Sequence, residues 1–491
     1  MEDFFYPVYN PDGSLNFEET SKRLFKTVIS DPKNGEQFVI ENKVANNDVP
    51  RPIPTADSGQ TVGQLRIAFT PRQPTAENVP IGPMIKIGEA LIPAPSADLL
   101  KTTPDSAIGQ YAKALGLNAD AVKGELTYEQ RGNLVFAKAK DGTPLFIATQ
   151  DQKSGEWGWN NLNLRTADEK TGAIYGSEAL TGGNDNVRLK VIKEHFNQMT
   201  ITGLSWKRSQ PSEKDLELRI PNSYLKDAII NKQDVTFLHL VYGINSETPD
   251  WLRNGNYTKD QLIRIMHDHI TNIMTSNRKI VDDAGSNIQL QYSVVNEGVD
   301  QPNYFWSSRI GPSYIQSAFQ TARTADPKAI LIYNDYAHEL PTARKTDRVF
   351  QVVKELKDKQ LIDGVGMQMH FIGKDNLDPN LPIQYLEEGI RSQIKRYGEI
   401  GVKVYITELD VDLSKISGSP VEKMQKAAEI YRMIARISSS SSNVAGVSVF
   451  GVNSESSWIT DLGGKAALLF SNNQPLPTYY ATLTGLMEGL K

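Results

Sequence analysis

The chain contains 491 residues, of which 39% are hydrophobic, with a formal net charge of -5 and no cysteine. This length accommodates a barrel domain plus an accessory region, and the slightly acidic balance excludes the basic surface of a nucleic-acid-binding protein. No apolar run approaches the roughly 18 residues of a membrane-spanning helix, and a chain without cysteine forms no disulfide, thiolate metal site or cysteine nucleophile. We therefore expect a monomer with neither nucleic acid nor a membrane as its partner.

The N-terminus Met1-Glu2-Asp3-Phe4 lacks the basic start and apolar core of a signal peptide. Two explanations remain open, a cytoplasmic enzyme or a numbering that begins after a removed leader. We expect a secreted or cell-surface protein whose leader lies outside this numbering, with a cytoplasmic location as the alternative.

Residues 1–160 are predicted to form a β-rich accessory region with proline-rich loops. Val49–Pro54 and a series of later prolines interrupt any long element. Gln64–Phe69 alternates like a short strand, and Ser106–Leu115 has helical spacing. Leu134–Gln150 is typical of a hairpin, with Asp141-Gly142 as its turn.

A sugar-binding role for this region would require aromatic platforms. None of the six tryptophans precedes Trp157. We therefore expect a structural or spacer role, with carbohydrate binding as the alternative.

Residues 161–491 show a regular pattern that predicts a (β/α)8 TIM barrel. Helical patterns separate many of the strand-like runs; one of them, Gln261–Met274, places Leu262, Ile265, His269, Ile270 and Ile273 on one face, and another opens at Ser419-Pro420-Val421-Glu422, a capping box. Eight such repeats match the count of this barrel, whose active site lies at the C-terminal ends of the strands. The predicted strands are Ala173–Leu180, Phe196–Ile201, Val235–Tyr242, Ile288–Val295, Ala329–Tyr333, Ile362–Met369, Val402–Leu409 and Val444–Val452.

Two of these strands lead into a glutamate. Glu297 follows the fourth apolar run and Glu408 lies at the end of the seventh. A glutamate at a strand end is commonly a solvated cap or half of an ion pair. A pair at the same end of one barrel instead favours chemistry that uses two carboxyl groups, with hydrolysis of a glycosidic bond as the leading case.

The barrel portion, about Leu162 to Leu486, resembles glycoside hydrolase family 10, the retaining endo-β-1,4-xylanases. Five segments carry the resemblance, in order along the chain: Val294-Val295-Asn296-Glu297, Tyr333-Asn334-Asp335-Tyr336, Gly364 to His370, Ile406-Thr407-Glu408-Leu409-Asp410, and Ser457-Trp458 with the closing run to Tyr479. Each segment alone is weak evidence, whereas five at the right spacing are specific.

The resemblance implies that Glu408 is the nucleophile and Glu297 the acid/base of a double displacement on β-1,4-xylan or a related decorated β-glycan. It also implies that a polysaccharide or oligosaccharide is the substrate. Because His195, His267 and His338 show no ligand spacing, we expect no metal site, and we expect no cofactor. The substrate-binding residues that we predict are Asn296, which would bind a sugar 2-hydroxyl, Gln368 and His370, which would reach the nucleophile, and Tyr336, Trp458 and Trp206.

The chain departs from the family on the glycone side. Thr202, Gly203 and Trp206 occupy the positions of the acidic residue, asparagine and lysine that usually grip the sugar. We expect Trp206 to supply a stacking surface instead, and Gly203 and Gly243 to leave room for a decorated sugar.

The third strand also departs, because the two family histidines fall at Leu238 and Gly243 and the family tryptophan at Tyr242. His239 is one position away and is expected to point to the other face, since side chains alternate along a strand. At the eighth strand Phe450 replaces a tryptophan.

Two alternatives to a xylanase therefore stay open. One is a glycosidase of the same fold with another sugar specificity, and the other is a non-catalytic carbohydrate-binding barrel. Retention of both glutamates together with Asn296, Gln368 and His370 argues against a pure binder.

Overall fold

The computed structural model describes residues 186–489 without interruption, together with residues 164, 165, 167 and 175–179 and a set of strands nearer the N-terminus. Those N-terminal strands are Asp3–Phe4, Leu24–Ser30, Gln37–Lys43, Thr61–Val62, Leu65–Arg66, Met84–Ile87, Ala90–Pro93, Leu126–Arg131, Leu134–Ala139, Pro144–Gln150 and Trp157–Asn161.

The N-terminal strands pair in antiparallel fashion. The last four form one sheet, within which Leu134–Ala139 and Pro144–Gln150 pair as the predicted hairpin. Of the predicted strand at Gln64–Phe69, Leu65–Arg66 lies within the described residues and forms a strand paired with Thr61–Val62. The turn Asp141-Gly142 and the helix predicted at Ser106–Leu115 lie outside the described residues. The division into 1–160 and 161–491 stays a prediction.

The remainder is a closed barrel of eight parallel strands, as predicted. Neighbours in the sheet follow chain order, and the first strand pairs with the eighth to close it. Most of these strands are nearly continuous apolar runs, because helices cover the outside and side chains fill the inside. The strands are β1 (Tyr175–Ala179), β2 (Gln198–Ile201), β3 (Asp234–Phe237), β4 (Leu290–Asn296), β5 (Ile330–Asp335), β6 (Gly364–Met367), β7 (Lys403–Val411) and β8 (Val444–Val449).

One long helix follows each strand. Both helices singled out in the sequence begin with capping boxes: Thr258 caps the third, and Ser419, followed by Pro420, caps the seventh. No helix in the described part of the chain has the length and apolarity needed to cross a membrane. The helices are α1 (Asn186–His195), α2 (Arg219–Ile230), α3 (Lys259–Asp283), α4 (Ser313–Ala325), α5 (Thr346–Asp358), α6 (Ile383–Glu399), α7 (Pro420–Ser440) and α8 (Pro477–Gly489).

Two predicted strands are interrupted near the C-terminal end of the barrel. The third breaks after Phe237 and resumes as Val241–Tyr242, with a cis peptide bond before His239. The sixth breaks after Met367 and resumes as His370–Phe371, which pairs with β7. His239 lies within the first break and His370 directly follows the second, and both rings face Glu408.

Candidate active site

The two glutamates lie at the same mouth of the barrel. Glu297 is the residue after β4 and adopts a φ of 50°, in the left-handed region that glycine favours. Glu408 lies within β7, with only 4% of its surface exposed. An uncommon backbone conformation at a polar strand end is typical of a functional site.

The carboxylate of Glu408 has three nitrogen neighbours. Asn334 Nδ2 donates to Oε1 at 2.6 Å, His370 Nε2 lies 3.4 Å from Oε2, and His239 Nε2 lies 3.9 Å from Oε1. Burial opposes ionisation, but His370, His239 and Asn334 together outweigh it and hold the pKa of Glu408 below its usual value. Glu408 is therefore ionised at neutral pH, as a nucleophile must be.

His370 is part of a buried chain of polar groups. Its Nδ1 bonds Asp410 Oδ1 at 2.8 Å, and the indole Nε1 of Trp458 donates to Asp410 Oδ2 at 2.7 Å. Burial alone would lower the pKa of His370, but Asp410 and Glu408 raise it well above its usual value. A cationic His370 then faces the carboxylate of Glu408.

Four side chains form hydrogen bonds with the carboxyl group of Glu297. Tyr242 Oη lies within hydrogen-bond distance of Oε2, at 2.9 Å, and Tyr304 Oη lies 3.3 Å from it. Gln368 Nε2 and Asn296 Nδ2 donate to Oε1 at 3.0 and 3.3 Å. Burial raises the pKa of Glu297. A carboxyl group that keeps its proton can act as a general acid.

An amide bridge connects the two carboxyl groups. Asn334 Nδ2 donates to Asn296 Oδ1 at 2.9 Å as well as to Glu408, and Thr407 Oγ1 donates to Asn334 Oδ1 at 2.6 Å. Gly366 leaves space for this bridge, because a Cβ there would lie 2.2 Å from Asn334 Oδ1.

A cleft of about 470 Å³ opens above these groups. Its lining includes Tyr336 and Trp458 with Glu297, Gln368 and His370, and most of the rest comes from the segments after β6, β7 and β8. Among the described residues, no cluster of three or more histidine, aspartate or glutamate side chains is arranged to hold a metal ion.

Comparison with known proteins assigns the barrel. Residues 163–484 match the sequence pattern of Glycosyl hydrolase family 10. The chain belongs to that family. This family 10 chain is 30% identical over 312 residues to endo-1,4-beta-xylanase B of Thermotoga neapolitana, covering 62% of the chain and 84% of the relative. It is 28% identical over 331 residues to endo-1,4-beta-xylanase A of Fusarium oxysporum, covering 65% of the chain and 97% of the relative.

Solved structures agree with this assignment. Native xylanase 10B from Thermotoga maritima superposes with a TM-score of 0.58 at 29% identity, covering 67% of the chain and 99% of that protein. Xylanase 10B from Thermotoga petrophila, solved with xylobiose, gives a TM-score of 0.58 at 29% identity, covering 68% and 99%. The family 10 chain is thus a glycoside hydrolase of the xylanase class.

The family 10 barrel brings together most of the predicted site residues. Five of them line the cleft: Glu297, Gln368, His370, Tyr336 and Trp458. Asn296 bonds Glu297, and Glu408 lies 3.4 Å from His370. Their individual roles stay predictions.

Trp206 is the exception, and the predicted sugar-stacking surface is wrong. Its side chain is 2% exposed, stacks on His269 at 3.7 Å between ring centroids, and donates its indole N–H to the Leu240 carbonyl at 2.5 Å. The ring is a core group packed on His269 of α3 and on Trp306.

The predicted room beside it is also absent. Gly203 is buried, and a Cβ on Gly243 would lie 3.0 Å from Tyr304 Cβ. The segment that begins at Tyr304 fills the space that we expected a decorated sugar to use.

The expectation for His239 is wrong as well. It points into the site, bonding Ser293 Oγ through Nδ1 at 2.9 Å while Nε2 faces Glu408. The alternation rule fails because the third strand is interrupted between Phe237 and Val241.

Besides His239, four site residues were not predicted from the sequence. Asn334 carried a signal, as a polar residue closing an apolar strand, and Asp410 carried another, because it lies two residues from Glu408 and shares its face. Tyr242 was noted only as the replacement of a family tryptophan. The sequence around Tyr304 contains no motif that marks it as a site residue.

Proposed function

We propose that this chain is an endo-acting hydrolase of β-1,4-xylan, or of a closely related decorated β-glycan, that cleaves with net retention. The observation that carries the proposal is the opposite tuning of the two carboxyl groups. The environment of Glu408 lowers its pKa and that of Glu297 raises it. One nucleophile and one acid are the two groups that a retaining mechanism needs.

The first step uses both groups at once. Glu408 attacks the anomeric carbon as Glu297 protonates the leaving oxygen, and the glycosidic bond breaks with its electron pair on that oxygen. In the second step Glu297, now a carboxylate, removes a proton from water, whose oxygen attacks the anomeric carbon and returns Glu408 to its free form.

Xylan is supported as the substrate by the relatives. Both curated relatives described above are named endo-1,4-beta-xylanases, and one similar structure holds xylobiose. A second candidate of the same fold with a different sugar specificity is favoured by the absence of the acidic residue, asparagine and lysine of the family, whose positions Thr202, Gly203 and Trp206 occupy. A polymeric substrate outside cells also supports secretion or display at the cell surface, which assay of culture medium and washed cells would test.

The test is a reducing-end assay on xylan, decorated xylan, mixed-linkage glucan and mannan. Xylan should be hydrolysed fastest, and NMR of the released sugar should show the retained anomer first. Glu408→Ala should abolish turnover. Glu297→Ala should lose the least activity on aryl glycosides with good leaving groups, because these leaving groups need little protonation.

Three results would contradict the proposal: net inversion, an unchanged rate in Glu408→Ala, or turnover of no β-glycan. Hydrolysis confined to mannan or mixed-linkage glucan would select the second candidate. Binding to xylan without any turnover would select a carbohydrate-binding barrel.

A further inference from the structure

The two oxygens of the Glu297 carboxyl group have chemically different partners. Oε1 accepts hydrogen bonds from the amide nitrogens of Gln368 and Asn296, and an amide N–H can only donate. Oε2 faces the hydroxyls of Tyr242 and Tyr304, each of which can donate or accept. Among the residues that the structure describes, Oε2 therefore has partners able to accept a proton from Glu297, whereas the partners of Oε1 can only donate.

The orientation of the amides follows from the nucleophile. An ionised Glu408 accepts only, so Asn334 must turn its NH2 group to that carboxylate at 2.6 Å. The same nitrogen reaches Asn296 Oδ1 at 2.9 Å, which leaves Asn296 Nδ2 facing Glu297 Oε1. The charge on Glu408 thus determines which oxygen of Glu297 is free to carry the proton.

Tyr242 is positioned for this task by the short strand Val241–Tyr242. That strand runs parallel to β4 with Tyr242 in register with Asn296, next to the acid/base. Burial and the Glu297 carboxylate raise the pKa of Tyr242 well above its usual value, so its hydroxyl keeps its proton. Tyr304 approaches because its neighbour Gly243 has no side chain.

We propose that Tyr242, assisted by Tyr304, is a positioning residue that holds the catalytic proton on Oε2 of Glu297 and reverses its hydrogen bond as Glu297 changes from acid to base. In the resting enzyme Oε2–H donates to Tyr242 Oη. The proposal rests on the proposed function for the acid and base roles of Glu297.

The steps balance as follows. On cleavage the Oε2 proton passes to the glycosidic oxygen, which leaves with the bonding electron pair, and Tyr242 turns its own O–H to the new carboxylate. On hydrolysis Oε2 takes a proton from water, the water oxygen bonds the anomeric carbon, and the bond to Glu408 breaks with its electrons returning to that carboxylate. The Tyr242 hydroxyl then accepts a hydrogen bond from Oε2–H again, as it did before the reaction.

Other charged groups also act on Glu297. From β5, Asp335 faces it, and the buried Lys345 ammonium pairs with Asp335 at 2.7 Å. From β7, Glu408 faces it, with His370 and His239 as the neighbours of Glu408. Removing only the Tyr242 hydroxyl leaves all of these groups in place.

Tyr242→Phe should make Glu297 harder to ionise. Both protonation states lose a hydrogen bond, but the bond donated to a carboxylate is charge-assisted and stronger, so the carboxylate loses more. The ratio of carboxylate to acid at a fixed pH should fall about tenfold. Tyr304→Phe should have the same sign and a smaller effect, because its bond is longer.

The measurement is a ¹³C NMR titration of protein labelled at the glutamate carboxyl carbons, with Glu297 assigned by the signal missing in Glu297→Gln. Its titration should move to higher pH in Tyr242→Phe. The matched control is Tyr431→Phe, which removes a buried hydroxyl that donates to the Ala467 carbonyl at 3.0 Å and should leave the signal unchanged. On an unactivated xylo-oligosaccharide, whose leaving oxygen needs the proton of Glu297, the upper pH limit of kcat/KM should move to higher pH in Tyr242→Phe while the lower limit stays.

A Glu297 signal that stays in place or moves to lower pH in folded Tyr242→Phe overturns the inference. If Tyr242→Phe does not fold, an unshifted signal in Tyr304→Phe overturns it. The titration needs no turnover, so a wild-type protein inactive on every β-glycan contradicts the proposed function and leaves this test intact.

Discussion

Replacing Asp410 by asparagine tests how the nucleophile is kept ionised. The carboxylate of Asp410 accepts from His370 on one oxygen and from Trp458 on the other, and asparagine has only one oxygen. Because the indole N–H can only donate, the asparagine oxygen should turn to Trp458 and its NH2 group to His370 Nδ1. His370 must then be neutral and lose its positive charge.

The energetic cost follows from the bonds involved. A hydrogen bond to a charged partner contributes about 1.5–3 kcal/mol and a neutral one about 0.5–1.5 kcal/mol. Asp410→Asn should therefore weaken the hydrogen bond at His370 by about 1–1.5 kcal/mol. The carboxylate of Glu408 lies 3.4 Å from His370. If the ionised form of Glu408 loses a similar stabilisation, its ionised fraction at acid pH should fall roughly tenfold.

The sign of the pH effect is fixed by the two shifts. In the wild-type protein His370 has a raised pKa and is cationic at neutral pH, and this lowers the pKa of Glu408. Without the cation the pKa of Glu408 rises, so the acid limit of kcat/KM should move to higher pH. Activity should fall more at pH 5 than at pH 7.

The assay is kcat/KM against pH on an aryl xylobioside, with thermal unfolding measured in parallel. Asp326→Asn is the matched control, because Asp326 is equally buried and accepts from Arg278 at 2.9 Å at the opposite end of the barrel. It should lower stability without moving the acid limit. An acid limit that stays in place in folded Asp410→Asn would refute the reasoning.

Two further variants test the bridge and the corrected tryptophan. Gly366→Ala places a Cβ 2.2 Å from Asn334 Oδ1 and should lower kcat/KM about tenfold or more by displacing a bond to the nucleophile; wild-type kinetics would show that the amide bridge is dispensable. Trp206→Phe leaves the buried Leu240 carbonyl without its indole donor and should lower the free energy of unfolding by about 1–3 kcal/mol with KM unchanged. A raised KM at unchanged stability would restore Trp206 to the substrate site.

The sequence predicted the parts of the site that depend on regular strands. Glu297 and Glu408 were located because an apolar run of strand length must end at the barrel mouth, and His370 followed from its nearness to the sixth run. His239 could not be predicted, since the interruption after Phe237 leaves no mark in an apolar segment.

Trp206 shows a different limit. Its place after β2 corresponds to a sugar-gripping position, yet its environment is set by His269 and Trp306, which are distant in the chain. A local pattern identifies which residue stands at a position, whereas burial depends on what packs against it from elsewhere.

The backbone of Glu297 has a consequence for making inactive forms of this protein. At a φ of 50°, a residue with a Cβ is held in a conformation that costs about 1–3 kcal/mol and that glycine adopts freely. Neither Glu297→Ala nor Glu297→Gly has the carboxyl group, so the difference between their melting temperatures reports the backbone strain alone. The glycine variant should have the higher melting temperature, which is the reverse of the usual order within a helix or strand. The glycine variant is therefore the better starting protein for trapping an uncleaved oligosaccharide in the cleft, because removing the acid there also releases strain that the active enzyme retains.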